Sequence, residues 1–170
     1  MAAPPSALPR RGKLSKLVDA KRRGDPQFAD FRLADSPLYL IVRTAGRYAQ
    51  EMENALAASG MDLLSWRALM IVNEVSPSSV SEIAERSVTR LSTMTRVVQR
   101  LEKKSLVRLS KRPSDARVTE VNLTPLGKRC VERERRTAGD AYHRAMRGFS
   151  TADIAALNRS MRRIFANLST

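Results

Sequence analysis

Residues 90–107 read RLSTMTRVVQRLEKKSLV, and their pattern decides the fold. A helix begun at Leu91 sets Leu91, Met94, Val98 and Leu101 on one side, the spacing of an apolar stripe that packs on a domain. Its other side carries Ser92, Arg96, Gln99, Arg100 and Lys103. Hydroxyls, an amide and repeated positive charge on one exposed face suit a polyanionic surface. More Arg and Lys follow directly.

The charge is concentrated around this helix. The 170 residues hold 31 Lys and Arg against 17 Asp and Glu, a net charge of +14. Between Arg86 and Arg117 stand ten basic residues and only two acidic ones, Glu102 and Asp115, which places +8 of that charge in 32 residues. Such focusing favours DNA, RNA or an anionic membrane as partner. The membrane reading is the weakest, because the basic helix turns its apolar stripe inward and a surface amphipath must expose one. No apolar run approaches the roughly 18 residues of a spanning helix, and the N-terminus lacks the apolar segment of a signal peptide. A single cysteine, Cys130, excludes an internal disulfide and fits a reducing cytoplasm, with nucleoid association following from the charge.

Outward from the basic helix the chain reads as further helices and one hairpin. Upstream, SVSEIAERS carries an S-x-x-E capping box at Ser79 and Glu82, opening a short helix with Val80, Ile83 and Ala84 inward. Two short helices joined by a tight turn around 87–90, the second polar and basic outside, form the helix-turn-helix pattern. Downstream, VRLSKR and RVTEVNL alternate with period two around PSDA, which predicts a β-hairpin with Lys111, Arg112 and Arg117 near its tip. Its inward residues are Val107, Leu109, Val118, Val121 and Leu123.

The flanks are helical. Ser36-Pro37 starts a long helix that Gly60 ends, and Asp62 caps an apolar helix, LLSWRALMIVNEV. Thr124-Pro125 opens a helix running to about Gly148, and Ser150 caps a last one ending near Leu168. Residues 1–35 are expected to form a basic arm without regular structure, save a short helix around 14–23. The predicted architecture is mainly α with a small β-hairpin wing. A winged helix-turn-helix DNA-binding lobe at 61–123 is flanked by a helical dimerisation region at 36–60 and 124–170. The apolar stripes of the long helices exceed what so small a domain can bury, so a homodimer is expected.

These residues resemble the MarR/SlyA family of dimeric winged-helix transcriptional regulators. The resemblance rests on SEIAERS, STMTRVVQRLEKKSLV and RPSDARVTEVNLTPLG, with LSWRALMIV matching the family's second helix, and it covers roughly residues 36–148. It implies that the basic helix enters the major groove while the wing approaches the adjacent minor groove. There Arg117 of the D-x-R motif reaches the groove and Asp115 holds it. Two departures stand out: Ser105 replaces the usual glycine after the recognition helix, and Ala116 replaces a frequent arginine. A left-handed backbone at Ser105 would be strained.

The DNA-facing set expected from this reading is Arg90, Ser92, Thr93, Thr95, Arg96, Gln99, Arg100, Lys103, Lys111, Arg112, Asp115 and Arg117. Arg and Gln suit guanine and adenine edges, whereas Lys103, Lys104, Arg108, Lys111 and Arg112 suit phosphates. The resemblance also implies a small aromatic or anionic effector near Arg43, Arg47, Trp66 and Met70, although Trp66 in an apolar helix has core packing as its ordinary role. Cys130 is expected to be a buried packing thiol, since no cysteine stands where family sensors carry one. One histidine, His143, and no Cys/His cluster make a metal site unexpected, and no cofactor is expected. No phosphate-cradling glycine loop, nucleophile motif or acid–base pair points to an enzyme. The expectation is a sequence-specific regulator, a repressor by preference, on a pseudo-palindromic operator. A non-specific architectural nucleic-acid binder is the alternative.

Overall fold

The structure, a computed structural model, describes residues 21–169. They fall into two compact units, one ending at Gln50 and the other beginning at Glu51. The expected N-terminal helix around 14–23 lies mostly outside the described residues. Its last residues, 21–23, are helical, while residues 24–35, expected to lack regular structure, carry a 3-10 turn at Leu33–Asp35. Arg22 explains part of this order: it pairs with Asp30 at 3.4 Å and lies over the Phe28 ring at 5.1 Å.

Helix α1, Pro37–Leu56, starts on proline as its sequence predicts, and a 3-10 turn at Ala57–Ser59 ends at Gly60 with φ +63°. Within the second unit, α2 is Leu63–Glu74, capped by Asp62. A short strand β1, Ser78–Ser79, leads into α3, Val80–Arg86. The basic helix is α4, Leu91–Lys103, followed by the hairpin β2, Val107–Arg112, and β3, Asp115–Leu123. Helices α5, Pro125–Ala145, and α6, Thr151–Leu168, complete the chain. The fold is mainly α with a small antiparallel sheet, as predicted.

The sequence predicts only the two-stranded hairpin, but Ser78 and Ser79 also pair with Val121 and Glu120, so the sheet has three strands in the order β1-β3-β2. Ser79 thereby serves twice, as a strand residue and as the α3 cap. Its hydroxyl accepts from the Glu82 N–H at 3.2 Å while its own N–H donates to Glu82 Oε2 at 2.6 Å, the predicted capping box.

The core of this unit is built from the apolar stripes of its helices. Leu69 and Val72 of α2, Ile83 of α3, Met94, Val98 and Leu101 of α4, Val121 of β3 and Val131 of α5 are almost fully buried. Met52 and Leu56, at the end of α1, are buried as well. One member of the predicted α4 stripe departs: Leu91 is 55% exposed, and Val97 is buried instead. The stripe is right from Met94 onward. Leu91 occupies the first turn of the helix, where the periodicity continues but the core beneath it does not.

Two residues without glycine's freedom take a positive φ: Ser105 at +56° and Val88 at +50°. Ser105 follows α4, where the sequence suggested such a turn. Val88, in the turn between α3 and α4, was not foreseen, because β-branched residues avoid this region. It is 75% exposed, so little packing offsets the strain. Val88→Gly should therefore stabilise the protein by about 1 kcal/mol, the left-handed penalty less glycine's entropic cost. Urea unfolding would check this, and an unchanged or lower midpoint would mean the turn is not strained.

Candidate nucleic-acid interface

The exposed face of α4 is polar and basic. Arg90 occupies the N-cap without a side-chain cap, and Ser92, Thr93, Arg96, Gln99 and Lys103 are exposed along the helix. Thr95 is half-buried, its hydroxyl donating to the Leu91 carbonyl at 2.9 Å. Among the described residues Arg90, Arg96, Lys103 and Arg108 have no carboxylate within ion-pair distance. Their charges are free for an outside anion.

Arg100 behaves differently from the reading of the sequence. Its guanidinium donates to Asp62 Oδ2 at 2.6 Å and to Ser65 Oγ at 2.9 Å, which ties α4 to the cap of α2 instead of turning the charge toward the groove. Asp62 also accepts from the Ser65 N–H at 2.8 Å. Burial pushes the Asp62 carboxyl up, but the Ser65 hydrogen bonds and the Arg100 charge outweigh it and hold the group below the ordinary carboxylate range. Asp62→Ala should thus cost about 1 kcal/mol, mostly as the lost cap. A carboxyl lowered on folding stabilises above its unfolded value, about 3.9, and loses that contribution as pH falls through its folded value. The stability gap between wild type and Asp62→Ala should therefore narrow in acid, and urea titrations at pH 7 and pH 3 would show it.

Two more expected phosphate contacts are engaged within the protein. Lys104 donates to the Gly60 carbonyl at 3.0 Å, at the end of the 3-10 turn. Arg112 Nε donates to Glu120 Oε1 at 2.7 Å, across a β2–β3 pair whose carboxylate is largely buried. These partners lie far along the chain or across the sheet, so only the fold brings them together. Lys111 is exposed near the wing tip, its Nζ 3.4 Å from Thr119 Oγ1.

The wing arginine is held in the way the D-x-R motif implied. Arg117 is 90% exposed, yet its Nε and Nη2 donate to the two oxygens of Asp115 at 3.0 and 3.1 Å. Its backbone N–H donates to Asp115 Oδ1 at 3.0 Å. The side-chain bonds from Arg117, then the backbone bond, hold the Asp115 carboxyl below its ordinary range. A long side chain that would otherwise sample many rotamers is aimed by a planar two-point bond. Between wing and helix runs a groove of about 350 Å³, lined by Leu91, Thr95 and Gln99 of α4 and by Arg117, Val118 and Thr119 of β3.

The other singled-out residues separate by burial. Trp66 is 5% exposed and belongs to the core, with Met70 half-buried beside that core. Arg43 and Arg47 are exposed on α1, Arg47 donating to Gln50 at 3.2 Å. Cys130 is buried in α5; burial raises its thiol, against the nearby Arg133 charge, which are the features of a packing thiol. His143 is exposed, and no group of three His, Cys, Asp or Glu among the described residues is placed to hold a metal ion.

Comparison with known proteins agrees with this geometry. The sequence profile of the MarR family matches residues 62–119, from the α2 cap into β3. The HTH-type transcriptional repressor IacR of Pseudomonas putida is 38% identical over 146 residues, 86% of this chain and 87% of that one. A MarR-family transcriptional regulator from Silicibacter pomeroyi has the same fold, with a TM-score of 0.75 at 24% identity over 82% of this chain and 94% of its own. CouR from Rhodococcus jostii RHA1, solved bound to p-coumaroyl-CoA, gives a TM-score of 0.72 at 22% identity over 78% and 94%. Winged fold, exposed basic helix and a relative similar along nearly its whole length converge: the chain belongs to the MarR family of DNA-binding transcriptional regulators and is not an enzyme.

Proposed function

We propose that the protein is a homodimeric repressor that binds a pseudo-palindromic operator, with α4 in the major groove and the wing at the adjacent minor groove. The observation that carries this reading is the exposed polar and basic face of α4, with Arg96 and Lys103 outside any ion pair among the described residues, beside an Arg117 already aimed by Asp115. The DNA-contacting set is Arg90, Ser92, Thr93, Thr95, Arg96, Gln99, Lys103, Lys111 and Arg117. Arg100 and Arg112 support the lobe from within. A guanidinium suits the narrow, negative minor groove, and an anchored one loses less side-chain entropy on binding.

Dimerisation is supported by α6, which buries none of its residues within the chain and exposes Phe149 just before it, with Met161, Phe165 and Leu168 along it. Most helical stability in proteins comes from packing an apolar face, so these exposed apolar residues support a partner surface on α6. On α1, Leu38, Leu40 and Val42 are also exposed. Two-fold pairing then sets half-sites about one helical turn apart. Repression as the direction follows from the similarity to IacR.

A small aromatic or anionic ligand is proposed to shift the dimer between states that do and do not match the half-site spacing. Arg43 and Arg47, exposed on α1, are the cations that would meet its acidic group. Calorimetry with phenolic acids tests this part, and no heat with any of them would remove the ligand from the reading. The whole reading is tested by fluorescence anisotropy on the DNA upstream of the protein's own gene against a scrambled duplex of equal length, at physiological salt. A regulator should prefer its site by about 10³ or more. Equal binding that collapses with salt at every genomic site tried would favour an architectural binder held by charge.

A further inference from the structure

Leu91 is an anomaly on the DNA-facing side of α4. It opens the helix, is 55% exposed, and lines the same groove as Thr95, Gln99 and Arg117. An exposed leucine at a scattered surface position needs no explanation. This one sits at the first turn of a recognition helix, the part that contacts base edges, amid hydroxyls and guanidinium groups.

Thr95, one turn further on, sharpens the point. Its hydroxyl donates to the Leu91 carbonyl at 2.9 Å, so its proton is committed to the helix itself, and the residue lines the groove with an acceptor oxygen and its methyl left to meet a partner. Leu91 and Thr95 therefore present an apolar couple, one turn apart, followed at the next turn by the amide of Gln99. The major groove offers one apolar group to such a couple, the C5-methyl of thymine. Apart from the smaller C5–H of cytosine, the base edges there present hydrogen-bond donors and acceptors, which an alkyl side chain would desolvate without replacing.

We infer that Leu91, backed by the Thr95 methyl, reads the C5-methyl of a thymine at one fixed position in each operator half-site. The inference rests on the proposed placement of α4 in the major groove and adds a base identity to it. Burying one methyl group corresponds to about fourfold in affinity, so two symmetric half-sites give about fifteenfold.

The experiment replaces each thymine of a footprinted operator by deoxyuridine, in symmetric pairs, and measures anisotropy at fixed salt with wild type and Leu91→Ala. Deoxyuridine keeps every hydrogen-bonding group and removes only the methyl. Wild type should lose about fifteenfold at one symmetric pair and little elsewhere. Leu91→Ala should bind the thymine operator more weakly and lose nothing further at that pair. Because Leu91 is exposed, the variant should keep its fold, which circular dichroism and an unchanged urea midpoint would establish. A flat uridine scan in wild type, or the same penalty in Leu91→Ala, overturns the inference while leaving α4 in the groove. Failure of wild type to prefer any duplex overturns it together with the operator reading.

Discussion

Gly127→Ala is expected to lower stability by about 3 kcal/mol or more, a large fraction of the roughly 5–15 kcal/mol typical of a native domain. A Cβ at this position would stand 1.9 Å from the Leu106 carbonyl oxygen and 3.0 Å from its carbon, with Leu123 Cδ2 at 3.2 Å. The nearest obstacle is backbone, so no rotamer change relieves it. Helix α5 would have to move away from the chain segment that links α4 to β2. That movement breaks the pins at its own start. Thr124 Oγ1 donates to the Ser105 carbonyl at 2.7 Å and accepts the Gly127 N–H at 3.0 Å, while the Thr124 N–H donates to Leu106 O at 3.1 Å. The glycine of LTPLG is there for close approach, in a helical position where alanine would ordinarily be the better residue. Urea unfolding monitored by circular dichroism measures the effect; a midpoint close to wild type would show that α5 is free to shift.

The second large effect concerns function. Arg117→Ala should weaken operator binding by about 1–3 kcal/mol, roughly 5- to 150-fold, with thermal stability almost unchanged. The side chain is 90% exposed and its partner Asp115 lies two residues away, so its loss opens no cavity. Asp115→Ala separates charge from position. It removes a negative charge, which by itself should strengthen attraction to DNA. If aiming the guanidinium matters more, specific affinity falls despite the extra net positive charge, while affinity for a scrambled duplex rises or holds. The two variants measured on both duplexes across a salt series distinguish these effects. An Arg117→Ala variant with wild-type operator affinity would remove the wing from the mechanism.

The outcome for individual residues shows where local reading succeeds. Asp62, Ser79, Thr124 and Ser150 each cap a helix, accepting from the N–H three residues on. Capping is decided within one turn, so the sequence contains all of it. The hairpin and the Asp115–Arg117 bond are likewise contacts between near neighbours. Helical periodicity correctly places Met94, Val98 and Leu101 in the core. It cannot say how far the core extends along the helix axis, which is why Leu91 has the right phase and the wrong environment.

By itself, then, the sequence determined the order of helices and strands, the caps that start them, the basic face of α4 and the anchored wing arginine, because each depends on neighbours within a few residues. Only the tertiary structure decided which cations remain free. Arg100 meets an aspartate 38 residues away, Lys104 a carbonyl 44 residues away, and Arg112 a glutamate across the strand pair. It also brought Leu106 against Gly127 and drew Ser78 and Ser79 into the sheet. Such contacts depend on how packed elements happen to face one another, and a periodicity that repeats along one helix carries no information about what stands opposite.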